Sequence, residues 1–143
     1  MRAEYQAFKE RLQAHPRLSN KVYDVVRTIE ATGALVRENY VIAFPSLPTD
    51  LNDHRYRSAQ RVSSRRVLSF DVRVVATTAD AFLRLAEDVM GQLIDHVLDV
   101  EGRECDRITM ATDHVEEGTG QYDRTSRLFF VDMTFEFVSR PKE

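Results

Sequence analysis

From residue 126 to 138 the chain places Phe129, Val131, Met133, Phe135 and Phe137 at every second position, with Asp132, Thr134 and Glu136 between them and Ser126 in the same polar phase. A period of two over that length has one economical solution, a strand with one face in a core and the other toward water. Residues 66–76 repeat the pattern: Leu68, Phe70, Val72, Val74 and Ala76 alternate with Ser69, Asp71 and Arg73. Two such runs call for a sheet whose apolar face must be covered by something else, and the remaining chain has to supply that cover.

Residues 79–97 fit that role. Thr77 stands three residues before Asp80, a capping-box spacing that marks a helix start. Phe82, Leu83, Ala86, Val89, Met90, Leu93, Ile94 and Val97 then form an apolar stripe, with Asp80, Arg84, Glu87, Asp88 and Asp95 outside it. A shorter helix is expected over residues 3–14, where Tyr5, Phe8 and Leu12 recur at helical spacing before Pro16 stops it. Asn39 to Phe44 reads as a strand closed by Pro45. Residues 21–30 admit two readings: a helix capped by Ser19 or Asn20 and ended by Gly33, or a short strand at Lys21 to Asp24. Residues 46–65 form a long polar connection, residues 107–112 a further strand, and Glu117 to Gly120 the turn of a hairpin. The expected fold class is α+β: a largely antiparallel β-sheet with a long amphipathic helix (about 79–97) and a short N-terminal helix packed on one face, in a single domain spanning residues 1–143.

Chemistry is hard to find in this pattern. His96 lies beside Asp95 and three residues before Asp99, but a histidine at a helix C-terminus suits the dipole without any catalytic role. Asp113, His114, Glu116 and Glu117 supply oxygen and nitrogen ligands, and read more simply as a solvated hairpin loop. Cys105 is the only cysteine, so an intrachain disulfide is excluded and a reducing cytosol is the default compartment. Ser63 and Ser64 lack a nucleophile elbow, and Gly118-Thr119-Gly120 lacks the third glycine and the lysine of a phosphate loop. No catalytic residue, cofactor or metal is expected. The N-terminus has no signal-peptide run, and no apolar stretch approaches the roughly 20 residues of a membrane span, so a soluble protein with no membrane partner is expected.

One segment is unusual in charge. Residues 54–66, HRYRSAQRVSSRR, hold Arg55, Arg57, Arg61, Arg65 and Arg66 with no acidic residue. They carry +5 in a chain whose formal charge is −3, leaving −8 for the remainder. Such a run is either a solvated basic loop or a surface for acidic protein or passing nucleic acid. Tyr56 and Arg57 are residue types enriched in contact hot spots. No recognition helix or zinc module accompanies the run, so base-specific readout is not indicated.

The order of elements resembles the tail terminator proteins of long-tailed bacteriophages, especially those infecting actinobacteria. The resemblance spans most of the chain: Lys21-Val22-Tyr23-Asp24, the strand Tyr40-Val41-Ile42, the polar arginine-containing loop, the strand Leu68 to Val75 leading through Ala76-Thr77-Thr78 into helix 79–97, Gly102, and the long closing strand. The 15 residues between Asp24 and Tyr40 depart from it by being longer than usual. The resemblance implies a structural virion protein rather than an enzyme. Its expected form is a homo-oligomeric ring, usually of six subunits, on the last ring of the major tail (tube) protein. That ring would stop polymerisation and offer a surface to a head-completion or stopper protein of the neck. Genomic DNA would pass through the lumen without sequence-specific contact, and the ring would be assembled in the host cytoplasm. Arg55, Tyr56, Arg57, Arg61, Arg65, Arg66, His114, Glu116 and Glu117 are its candidate interface or lumen residues. Three rivals are another head-to-tail connector, a small-ligand enzyme using His96, Asp99 and His114, and a single-stranded nucleic-acid binder stacking bases on Tyr56.

Overall fold

The computed structural model describes residues 2–46, 49–50, 66–111 and 121–142; for 49–50 it describes the backbone. Helix α1 (Arg2–Gln13) leads into β1 (Val22–Tyr23), β2 (Tyr40–Ala43), β3 (Thr49–Asp50) and β4 (Arg66–Ala76). Helix α2 (Ala79–Leu93) follows, then β5 (Arg103–Cys105), β6 (Thr109–Met110), β7 (Gln121–Asp123) and β8 (Leu128–Pro141). Among the described residues these strands form one sheet, ordered β1-β2-β4-β8-β5, with β3 also on β4 and β6 and β7 also on β8. All pairs are antiparallel except β1 with β2.

The two alternating segments pair with each other, as their shared period requires. β4 and β8 run in unbroken register from Arg66↔Ser139 to Ala76↔Phe129. One face of this pair carries Leu68, Phe70, Val72, Val74, Val131, Met133, Phe135 and Phe137, all in the main core with Phe8 and Leu12 of α1 and Phe82, Leu85, Val89 and Leu93 of α2. Phe70 is its centre, with ring centroids 4.8 Å from Phe8, 5.6 Å from Tyr5 and 6.0 Å from Phe137.

The α+β class and the largely antiparallel sheet agree with the sequence reading, but the long helix does not: both helices are short. α2 stops at Leu93, and Ile94 turns to φ −63°, ψ 132°. Asp95 then takes φ 66°. Its N–H donates to the Ile108 carbonyl at 2.9 Å, the Ile108 N–H donates to the His96 carbonyl at 2.9 Å, and Val97 bridges to Arg107. Residues 95–97 have exchanged helical hydrogen bonds for a strand-like contact that periodicity alone does not show. The helix cap is also one residue late. The Thr78 hydroxyl accepts from the Ala81 N–H, whereas the Thr77 N–H donates to Asn39 Oδ1. Leu83, Ile94 and Val97, all assigned to the apolar stripe, are exposed, and Asp88, assigned outside it, is buried.

For residues 21–30 the strand alternative is realised in β1. The chain beyond it forms a small hairpin arm: Thr28 bridges to Leu35, the Ile29 N–H donates to the Ala34 carbonyl, and the Val36 N–H to the Arg27 carbonyl. Gly33 at φ 70° makes the turn, a region glycine enters without steric cost. This arm covers part of the sheet face away from the helices, where Tyr40, Ile42, Val75 and Leu128 form a second core with Leu35, Phe44 and Phe130. The strand expected within residues 107–112 pairs antiparallel with the last strand as β6 with β8, and β7 is a further antiparallel partner of β8; the turn expected at Glu117 to Gly120 lies outside the described residues.

Candidate assembly surfaces

Of the nine candidate residues, Arg55, Tyr56, Arg57, Arg61, Arg65, His114, Glu116 and Glu117 lie outside the described residues. Arg66 is the one described. As the first residue of β4 it falls in phase with the core-facing side chains, and its Nη1 lies 3.1 Å from Oε2 of the buried Glu4 on α1. Arg103 joins the same region, with Nε 2.9 Å from Ser139 Oγ and Nη2 2.8 Å from the Ser139 carbonyl. Burial lowers the Arg103 pKa, and the neighbouring Arg66 charge lowers it further. Arg66 therefore ties the end of β4 to α1 rather than standing free at the surface.

Of the three enzyme candidates, His96 and Asp99 are described and His114 lies outside the described residues. His96 is held below its ordinary pKa by partial burial and by Arg11, which favours the neutral ring, and Asp99 is exposed. Cys105 is buried and its thiol is pushed up by that burial, the opposite of what a nucleophilic thiolate needs. No cluster of three metal-ligating side chains occurs among the described residues. No helix among them is long and apolar enough to cross a membrane.

The sheet face away from the helices is polar where the arm does not reach. Arg73 and Asp132 form two parallel hydrogen bonds, the Thr134 hydroxyl donates to Asp71 Oδ1 at 2.7 Å, and the Ser69 hydroxyl donates to Glu136 at 3.3 Å. Beside this ladder a small cavity of about 130 Å³ opens under the arm, lined by Val26, Leu35, Ile42, Val75, Leu128 and Phe130 among others. Arg27 fixes the arm's root, with its guanidinium 4.3 Å from the Tyr23 ring centroid and 2.6 Å from Glu38. Arg37 fixes its end, donating to the carbonyls of Ser126 and Arg127 in the turn before β8. In that turn hydrogen bonds from the Ser126 hydroxyl and the Thr125 N–H hold the Asp123 carboxyl below its usual range.

Sequence reasoning missed this arm because its signals are weak. Val25, Val26 and Ile29 have the residue types of a strand or a helix core, yet all three are exposed. The one available sign was the extra length between Asp24 and Tyr40.

No family model matches the chain, and no curated protein matches it in sequence. In fold it is similar to a chain of the virion of a native gene transfer agent (GTA) particle, with a TM-score of 0.70 at 16% sequence identity. The similarity covers 96% of this chain and 95% of that one. At that identity the match establishes a shared α+β fold from end to end, with no large part of either chain left over.

Proposed function

We propose that this chain is a structural virion protein, a tail terminator that forms a ring on the phage tail tube, halts its polymerisation and joins tail to head. The observation that carries the reading is the end-to-end similarity of fold to a chain of a gene transfer agent virion. The order of elements and the residues quoted for the tail terminator resemblance point the same way. A protein of this kind works by shape and by many copies of one contact, so packing rather than a reaction carries its role. The segregated +5 run at residues 54–66 fits a lumen or subunit surface in such a ring.

Electron microscopy of the protein mixed with polymerising tail-tube subunits tests the reading. Tubes of bounded length with an additional ring at one end are expected. Tubes that grow without limit and carry no added ring would overturn termination, and binding to filled heads instead of tubes would assign the chain to the neck.

A further inference from the structure

Four polar side chains line the cavity under the arm, those of Tyr40, Arg73, Asp123 and Ser126, and three of them are already paired. Arg73 is joined to Asp132 by two hydrogen bonds, and the Ser126 hydroxyl donates to Asp123 Oδ2 at 2.7 Å. Tyr40 differs from them. It is 1% exposed, its ring packs edge-on against Tyr23, and its hydroxyl has no hydrogen-bond partner among the described residues. The charges that reach this hydroxyl are those of Arg27, Arg73 and Glu38, and Arg73 lines the same cavity. A buried hydroxyl left unpaired costs free energy that phenylalanine in its place would not, so the group calls for a partner from outside the chain.

The rest of the wall is apolar and comes from three parts of the fold: Val26 and Leu35 of the arm, Ile42 and Val75 of β2 and β4, and Leu128 and Phe130 of β8. Its volume of about 130 Å³ lies well below the roughly 300 Å³ at which sites for cofactors and larger ligands begin. It is close to the roughly 150 Å³ in which an apolar cavity holds one benzene ring. Arg27, against Glu38 and the Tyr23 ring, and Arg37, on the turn before β8, hold the arm at its root and its end, so the space beneath it stays open.

We propose that this cavity binds one phenol ring, seated against the apolar wall with its hydroxyl paired to that of Tyr40. A free phenol and a tyrosine side chain of another protein offer this same chemistry, and the experiment separates them. The site goes beyond the virion reading and does not depend on it.

Titration of the isotope-labelled protein with p-cresol, toluene and N-acetyltyrosinamide, followed by two-dimensional NMR, tests the proposal. p-Cresol is expected to give saturable shifts confined to the arm, β2 and the turn before β8, with nuclear Overhauser effects from its ring to Ile42, Val75 and Leu128. The ratio of p-cresol to toluene affinity should fall about fivefold in Tyr40→Phe, the loss of one hydrogen bond. Val26→Phe, at a partly exposed position on the arm, should fill the cavity and abolish binding, and Leu35→Phe replaces it if far-UV circular dichroism shows that variant unfolded. Binding of N-acetyltyrosinamide at the same residues assigns the ring to a protein side chain; its exclusion while p-cresol binds assigns it to a free phenol. An absence of saturable shifts with p-cresol, shifts centred elsewhere, an unchanged ratio in folded Tyr40→Phe, or undiminished binding by a folded cavity-filling variant overturns the proposal.

Discussion

Arg73 and Asp132 face each other across the β4–β8 register and are joined by two parallel hydrogen bonds, Nε to Oδ1 at 2.7 Å and Nη2 to Oδ2 at 3.0 Å. The guanidinium carbon also stands 5.5 Å from the ring centroids of both Phe44 and Phe130. The pair therefore fastens the polar face of the two longest strands at a point where rings from β8 and from the chain after β2 converge.

Arg73→Lys tests whether that planar geometry matters. Lysine keeps the charge but cannot make the fork-to-carboxylate bond or stack flat on a ring. Both partners are partly exposed, so a loss of about 1 kcal/mol is expected. Urea unfolding should show the midpoint falling with the slope unchanged. A midpoint equal to wild type would mean that the pair adds nothing.

Glu4 and Arg66 should behave differently, because Glu4 is 1% exposed. Arg66→Ala leaves a carboxylate in the interior with less compensation and is expected to cost about 3 kcal/mol, the lower end for opening a buried pair, since 18% of the Arg66 side chain is exposed. Replacing both residues by apolar ones, Glu4→Leu with Arg66→Met, should recover most of that loss in thermal unfolding. If the double variant is as unstable as Arg66→Ala, the ion pair does more than satisfy its own burial.

His96 gives the fold a pH dependence of predictable sign. Partial burial, and then the Arg11 charge, lower its folded pKa below the ordinary histidine value of 6.5. Between the folded value and 6.5 the unfolded chain binds the extra proton, so unfolding takes up protons as pH falls. The stability His96 contributes is therefore complete above about pH 6.5 and is lost as pH drops toward its folded value. His96→Gln should flatten the stability profile between pH 5 and 7, measured as urea midpoints. An unchanged slope in that window would show that His96 titrates alike in both states.

What could be read from the sequence was what local period encodes. β4 and β8 came out nearly whole because a run such as Phe129, Val131, Met133, Phe135 and Phe137 has one reading, and Phe82, Ala86, Val89 and Leu93 place α2 against them. The end of α2 did not, because Asp95 leaves the helix for the Ile108 carbonyl, a partner 13 positions along the chain that no local pattern reveals. Asp88 looked like a surface residue for a similar reason. Its partners Arg17, at 2.8 Å, and His15, at 3.6 Å, come from the far side of the fold's chain order. Arg66 was legible as a charge and not as a buried pair, since its partner Glu4 lies 62 residues away.

The arginines at 55 and 57 carry the remaining prediction. They belong to a segment, residues 54–66, that holds five arginines and no acidic residue, against a remainder of −8. If that run meets an acidic face of the adjoining subunit or the DNA path, Arg55→Glu with Arg57→Glu should leave folding unchanged and remove capping of tail tubes. Wild-type capping should itself weaken with added salt, because exposed charge pairs are screened within about 10 Å at 0.1 M ionic strength. Tube lengths measured by electron microscopy across a salt series provide both readouts. Undiminished capping by the double variant would sink the role of these two residues. Capping lost together with the far-UV spectrum would trace the effect to folding, which Arg55→Gln with Arg57→Gln then separates, because it removes the positive charge without introducing repulsion.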